Sequence, residues 1–311
     1  MSERLPTATT ELVKQLFSHG EAFDSEGFAT FFTDRPVYQF GNFEPCFSQA
    51  AIAKSTNDFF SKISAVYHDI KMMWETADFV FVEMDVTYWR KDDSVVTLPC
   101  SDVFRLKGNK FSELRIFMDV NPVFDSTVDV SDSSSVFILS RGKKLTTPEI
   151  MKNYYQEDLL ANKRIETGFA PKWLSNQSIH EVGEKETDIS EQLQVVQQLS
   201  ENVINENWKQ VKSFLTEDVF YKVGSQEPVY GKQAVVDLLS SLFHNTAKFT
   251  SHKVRKIWNV PGIVTVEMDA LYTTVKDKKD LTIACCDIYR MRKNQVSEWR
   301  VYADIMPLFD K

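Results

Sequence analysis

Val82-Glu83-Met84-Asp85 returns 184 residues later as Val266-Glu267-Met268-Asp269, and Tyr88 returns as Tyr272 at the same spacing. The echo extends outward from these words in both directions. Downstream, Asp102-Val103-Phe104-Arg105-Leu106 is matched by Asp287-Ile288-Tyr289-Arg290-Met291, and Pro122-Val123-Phe124-Asp125 by Pro307-Leu308-Phe309-Asp310, each 185 residues on. Upstream, Gly41 to Pro45 matches Gly224 to Pro228 at 183, while His68 and Trp74 match His252 and Trp258 at 184. Words that keep their order while the spacing drifts by single residues mark one domain present twice, with the drift absorbed in turns. The expected organisation is a first domain over 9–125, a connector over 126–187 and a second domain over 188–311. A chain of 311 residues also exceeds the size of a typical single domain.

Each copy opens with apolar residues at three- and four-residue spacings, over Glu11 to Ala22 and Glu191 to Val203, which predicts a helix. A second short helix follows, holding Trp208, Val211, Phe214 and Leu215 in the second copy. Strand-like composition comes next at Val37-Tyr38 and at Val219-Phe220-Tyr221. A further helix is predicted from about Gln49 to Ile63 and from about Lys232 to Phe243. Four strand-like runs close the first copy, at roughly 66–75, 78–90, 94–106 and 111–120, separated by turn signals such as Lys91-Asp92-Asp93 and Lys107-Gly108-Asn109. Helices followed by an antiparallel meander define an α+β fold. Between the copies, Ser126 to Ser135 has a linker's Ser/Asp-rich composition, with a short strand expected at Val136 to Leu139 and a helix from Thr147 to about Ala161.

Composition bounds the function. Phe outnumbers Gly 23 to 10, and 43% of residues are hydrophobic, so large side chains are available to fill cores or line cavities. The formal net charge of −8 argues against a nucleic-acid binder, which needs a dense basic surface to displace counterions. No uninterrupted apolar run is long enough to span a bilayer, and the residues after Met1 lack the apolar core of a signal peptide, so a cytoplasmic location away from membranes is expected. Cys46, Cys100, Cys285 and Cys286 show no metal-ligand spacing and are expected as free thiols. The five histidines form no such spacing either.

The order helix, helix, strand, Gly-x-x-Glu-Pro, helix, then a meander ending in Arg-x-aromatic-x-Asp resembles the nuclear transport factor 2-like (SnoaL-like) domains. The words that carry it are Thr97-Leu98-Pro99, Asp102 to Arg105, and Arg115-Ile116-Phe117-Met118-Asp119 with its echo Arg300-Val301-Tyr302-Ala303-Asp304. The resemblance implies two cones, each a curved antiparallel sheet wrapped around its helices and enclosing a largely apolar pocket. Some such domains are isomerases, cyclases, dehydratases or epoxide hydrolases and others only bind, so the fold does not settle the activity. Single-domain relatives pair through their sheets, which implies an internal pseudo-dimer here and leaves room for further homo-oligomerisation.

The candidate acid/base residues are Asp85, Asp102 and Asp119, repeated as Asp269, Asp287 and Asp304. Strand interiors disfavour Asp, so its return at three matching places points to a constraint of site or of structure. Acids facing an apolar cavity have their pKa values raised and separated, leaving one to donate a proton and another to accept. Asp85 and Asp119 occupy the places of the two catalytic aspartates of limonene epoxide hydrolase, but Glu83, like Glu267 after it, stands where that enzyme has its bridging arginine. Asp102 and Asp287 match the oxyanion-binding acid of ketosteroid isomerase. Its tyrosine aligns with Leu16 and its base with the Gln39-Phe40 region. Tyr38, Trp89, Arg115, Tyr221 and Arg300 are the candidate ligand-binding residues, and Arg115 and Arg300 share a strand face with Asp119 and Asp304 by alternation. The structural alternative pairs Asp119 with Arg115 and gives Asp102 to a turn or a backbone amide. His68 and His252, each opening a strand after a helix, read as capping or solvated. Two functions stand side by side: cofactor-free, metal-free cyclisation, isomerisation or dehydration of a small apolar or polyketide-like molecule, and a non-catalytic module that binds a ligand or docks a protein.

Overall fold

The computed structural model describes residues 8–125 except 77, residue 127, and 189–309 except 261. The strand expected at Val136 to Leu139, the helix from Thr147 and the end of the second copy at Asp310 lie outside the described residues. Contacts divide the chain into two compact units.

The first unit begins with helix α1 (Ala8–Glu21), whose Val13, Leu16, Phe17 and Gly20 form one buried stripe at the three- and four-residue spacing of an amphipathic helix. Burial of each large side chain of that stripe contributes about 1.5–3 kcal/mol. Helix α2 (Ser25–Thr30) starts at Asp24, whose carboxylate accepts the Gly27 N–H at 2.9 Å. Strand β1 (Phe32–Phe40) leads to helix α3 (Gln49–Phe60), capped by Ser48, which accepts from the Ala51 N–H at 3.1 Å. Strands β2 (Ile63–Thr76), β3 (Phe79–Arg90), β4 (Val95–Lys107) and β5 (Lys110–Met118) then run as a meander, followed by the one-turn helix α4 (Asn121–Phe124).

The second unit repeats this plan with α5 (Ile189–Ile204), α6 (Trp208–Phe214), β6 (Leu215–Val223), a two-residue β7 (Val229–Tyr230), α7 (Lys232–Asn245), β8 (Ala247–Val260), β9 (Ile263–Thr274), β10 (Asp280–Arg292) and β11 (Gln295–Ala303). The strand orders are β1-β5-β4-β3-β2 and β7-β6-β11-β10-β9-β8. Both sheets are mixed rather than wholly antiparallel, because β1 runs parallel to β5 and β6 parallel to β11. The physical reason is the crossover: each chain leaves its first strand through a helix, traces the meander and returns along that strand in the same direction. Bulges between Ile70 and Met72 in β2 and between Val254 and Lys256 in β8 bend the two long edge strands at matching places.

Alternation gives each strand one face toward the helices. In the second unit that face carries Val264, Val266, Met268, Ala270, Ile283, Cys285, Tyr289, Met291 and Trp299, which join Val196, Leu199 and Val203 of α5 in one core. All four cysteines are free thiols, and Cys285 and Cys286 fall on opposite faces of β10.

Candidate functional site

The inner face of the first unit is not filled. It encloses a cavity of about 480 Å³, lined by α1, α3 and all five strands, and within the range of small-molecule sites, roughly 300–1,000 Å³. Phe17, Phe28, Val66, Val86, Leu114 and Ile116 make much of its wall apolar; Tyr38, Tyr88, Cys100, Asp102 and His68 bring polar groups from the sheet, and Lys54, Ser55, Thr56, Asp58 and Lys62 line it along α3 and the turn after it. The flanking aromatic residues Phe43 and Phe124 are exposed.

Register decides which of the sequence candidates reach this space. On β3, Met84, Val86 and Tyr88 line the cavity, so Asp85 lies on the opposite sheet face, paired in register with Asp69 and Pro99. On β4, Cys100 and Asp102 face inward. On β5, Leu114 and Ile116 face inward, which turns Arg115 outward, where it donates to Glu113 and, at 3.1 Å, to Gln39 Oε1. Asp119 stands one residue beyond β5 and is not among the lining residues. Trp89 packs with Ala65 and Tyr67 in a small separate cluster. The three acids of the first copy therefore do not converge: the cavity takes Asp102 and Tyr38, and the sheet separates them from Asp85 and Arg115.

Asp102 is 1% exposed; its Oδ1 accepts from the Cys100 thiol at 3.4 Å, while its Oδ2 is buried with no hydrogen-bond partner. Desolvation pushes its pKa up to about 8 against the slight opposing pull of the Cys100 hydrogen bond. At neutral pH the group is mostly a neutral acid, able to donate a hydrogen bond into an apolar space. Burial likewise holds the phenols of Tyr38 and Tyr88 above their ordinary range, so both are neutral donors.

In the second unit the matching carboxylate is enclosed. Tyr289 Oη and Trp299 Nε1 both donate to Asp287 Oδ2 at 2.9 Å, and the Trp299 ring packs against Tyr221 and Tyr289 with centroids 4.7 and 5.4 Å away. Desolvation still dominates, but the donors hold Asp287 to about 6. Asp269 lies on the outer face with its carboxylate 2.7 Å from Arg255. Arg300 pairs with Glu298 and lies over the Phe220 ring at 4.3 Å, and Asp304 accepts from the Met306 N–H at 3.4 Å.

His68 corrects the sequence reading. It lies inside β2, as its sixth residue, rather than at the opening of a strand, it faces the cavity, and its ring stacks on Phe17 at 4.5 Å and 7°. Glu21, at the end of α1, accepts from both the His68 backbone N–H at 2.8 Å and its Nδ1 at 3.2 Å. The available signal was Glu21 itself: a carboxylate in the last helical turn opposes the helix dipole and asks for a partner. Among the described residues no group of three His, Cys, Asp or Glu side chains could hold a metal ion, and no helix is long and apolar enough to cross a membrane.

The chain is similar to several proteins of known structure. A hypothetical protein with a ketosteroid isomerase-like fold from Catenulispora acidiphila, solved with trimethylamine, is 15% identical over 36% of this chain and 88% of its own, with a TM-score of 0.35. An epoxide hydrolase of the limonene type from M. tuberculosis is 18% identical over 39% and 87%, with a TM-score of 0.34. A nuclear transport factor 2-like protein of unknown function from Burkholderia pseudomallei is 9% identical over 38% and 95%, with a TM-score of 0.36. No curated protein matches the sequence. The SnoaL-like domain profile matches twice, over residues 13–114 and again over 196–299, and with both halves accounted for the chain belongs to the SnoaL-like domain family as a tandem pair.

Proposed function

We propose that the first domain is the working one. It takes a small, largely apolar molecule bearing a carbonyl oxygen and carries out cofactor-free acid/base chemistry of the isomerisation, cyclisation or dehydration type. The observation that carries this reading is the unpartnered Oδ2 of Asp102, fully buried at an apolar cavity. A buried polar atom left without a partner costs about 1–3 kcal/mol, and a ligand oxygen recovers that cost. A neutral acid donating to a carbonyl stabilises the negative charge that grows on oxygen when an adjacent proton departs. The second domain also has a buried, unpartnered oxygen in Asp287 Oδ1, but Tyr289 and Trp299 both donate to its Oδ2, and it serves as a non-catalytic companion.

The test is titration with 2-acetonaphthone, an apolar aromatic ketone, followed by native mass spectrometry of protein purified from its own host to find the natural ligand. Asp102→Leu removes the donor and is expected to weaken ketone binding about ten-fold or more. Asp102→Asn keeps an N–H donor and is expected to retain much of the affinity, while Asp287→Asn leaves it unchanged. Equal affinity in the Asp102→Leu variant and the native protein would overturn the assignment.

A further inference from the structure

The cavity holds a second polar device besides Asp102. Glu21 closes two hydrogen bonds on His68, one from the backbone N–H and one from the ring. A carboxylate oxygen only accepts, so a ring hydrogen sits on Nδ1, and whenever the ring is neutral its lone pair is on Nε2. Stacking on Phe17 fixes the ring plane, and the pair is buried, with side-chain exposures of 16% and 9%. Gly20 sets no side chain against the ring, where a Cβ would make ordinary contact with His68 Cε1 at 3.8 Å.

The second domain keeps the histidine and a stacked phenyl ring, Phe249 lying 5.9 Å from His252 at 18°, but no carboxylate bonds its Nδ1. Ile204 stands where Glu21 does, Val203 is buried where Gly20 is, and Ser200 replaces Phe17. His252 Nδ1 is buried with no hydrogen-bond partner, and desolvation lowers the pKa of that ring. A structural tie between helix end and strand would serve both copies equally, and only the open one has it.

We infer that His68, oriented by Glu21, is the proton acceptor of the first domain's cavity, presenting Nε2 to an acidic hydroxyl of the same ligand whose carbonyl Asp102 holds. The inference rests on the proposed role of Asp102 and extends it. His68 pairs in register with Val86 and Asp102 with Val82, four residues apart on β3 and so roughly 13 Å along the strand. One small group cannot touch both, and the ligand class is a conjugated molecule with an enolic or phenolic O–H at one end and a ketone at the other. The step balances without a co-reactant: the O–H bond breaks and an N–H bond forms at Nε2. The electron pair left on that oxygen delocalises through the conjugated frame to the ketone oxygen, where the Asp102 O–H meets it. His68 is the catalytic residue of this step and Glu21 its positioning residue.

Two probes test it on the full-length protein: 6-hydroxy-2-acetonaphthone, with both groups at opposite ends of a rigid frame, and 2-acetonaphthone, with the ketone alone. The hydroxy-ketone is expected to bind roughly ten-fold tighter than the ketone, with the bound probe's absorption shifted toward that of its anion. Glu21→Ile, the second domain's residue, and His68→Phe, which keeps the stack, are both expected to bring the ratio to about one and abolish the shift. Nitrogen NMR of the unliganded protein, above the ordinary imidazole range, is expected to show the hydrogen on Nδ1 of His68 and a tautomer mixture in Glu21→Ile. A ratio of one in the native protein, with the ketone still bound through Asp102, would sink the His68 assignment and spare the proposed function. Binding of neither probe would sink both.

Discussion

The two domains share a fold, a repeated word order and a buried acid at the same place on the third meander strand, yet one is hollow around that acid and the other is packed. The difference comes down to a handful of side chains. Leu114 and Phe104 in the first become Trp299 and Tyr289 in the second, which supply two donors and the bulk that encloses Asp287. Glu21 and Gly20 become Ile204 and Val203, which converts a polar, open helix end into an apolar one. The proposed division of labour between the two copies rests on these few side chains.

The sharpest way to break the comparison is to empty the second domain. Trp299→Leu removes the indole that packs on Tyr221 and Tyr289 and one of the two donors to Asp287. It is expected to destabilise by about 3 kcal/mol, through cavity formation and a weakened buried hydrogen-bond network. Urea unfolding measures it; a loss under about 1 kcal/mol would mean that Trp299 does not hold the second core together.

The converse is to fill the first domain. Leu114→Trp carries the second domain's residue into the cavity wall and is expected to cost little stability, because the indole enters existing space. Affinity for 2-acetonaphthone is expected to fall at least about thirty-fold, the equivalent of about 2 kcal/mol. Retained binding in a folded variant would place the ligand elsewhere.

Titration separates the two acids more finely. Both folded pKa values are raised above the ordinary aspartate value, so each native group holds its proton where the unfolded chain has released it. Stability is therefore full below about pH 4 and falls as pH rises, over a window reaching about 8 for Asp102 and about 6 for Asp287, at up to about 1.4 kcal/mol per pH unit for each. Between pH 6 and 8 the slope belongs to Asp102 and is expected to flatten in Asp102→Asn but not in Asp287→Asn. Unfolding titrations at several pH values read this directly, and identical flattening in both variants would erase the distinction.

The repeat, the element order and the family were legible in sequence because words such as Val82 to Asp85 encode backbone periodicity, which is local. Asp102 and Tyr38 could be named as candidates for the same reason, but not which way they point. What escaped depended on register and on partners distant in sequence. Alternation alone cannot say which parity faces the cavity, so Asp85 and Asp102 looked equivalent until β3 and β4 were paired. The pairing of His68 with Glu21 joins residues 47 apart across a helix and a sheet. The contrast between Leu114 and Trp299 was visible as letters but had no meaning until both were seen beside an acid. The sheets proved mixed because strand direction is set by the crossover, which composition does not carry.

The smallest expected effect lies on the outer sheet faces, where the domains differ in charge rather than in space. Asp69 faces Asp85 in register across β2 and β3, whereas Lys253 faces Asp269 across β8 and β9. Arg255 also reaches Asp269 at 2.7 Å and Glu267 at 3.7 Å, with about a third of its own side chain exposed. A partly solvated pair of this kind is worth about 0–1 kcal/mol, and Glu267 remains for Arg255 when Asp269 is neutralised. Asp269→Asn is therefore expected to cost less than about 1 kcal/mol, to cost less still in high salt as screening removes the pair, and to leave ketone affinity in the first domain untouched. A loss of several kcal/mol would show that this outer-face acid is an integral part of the second domain's packing, and would align it with the buried Asp85 rather than with a surface ion pair.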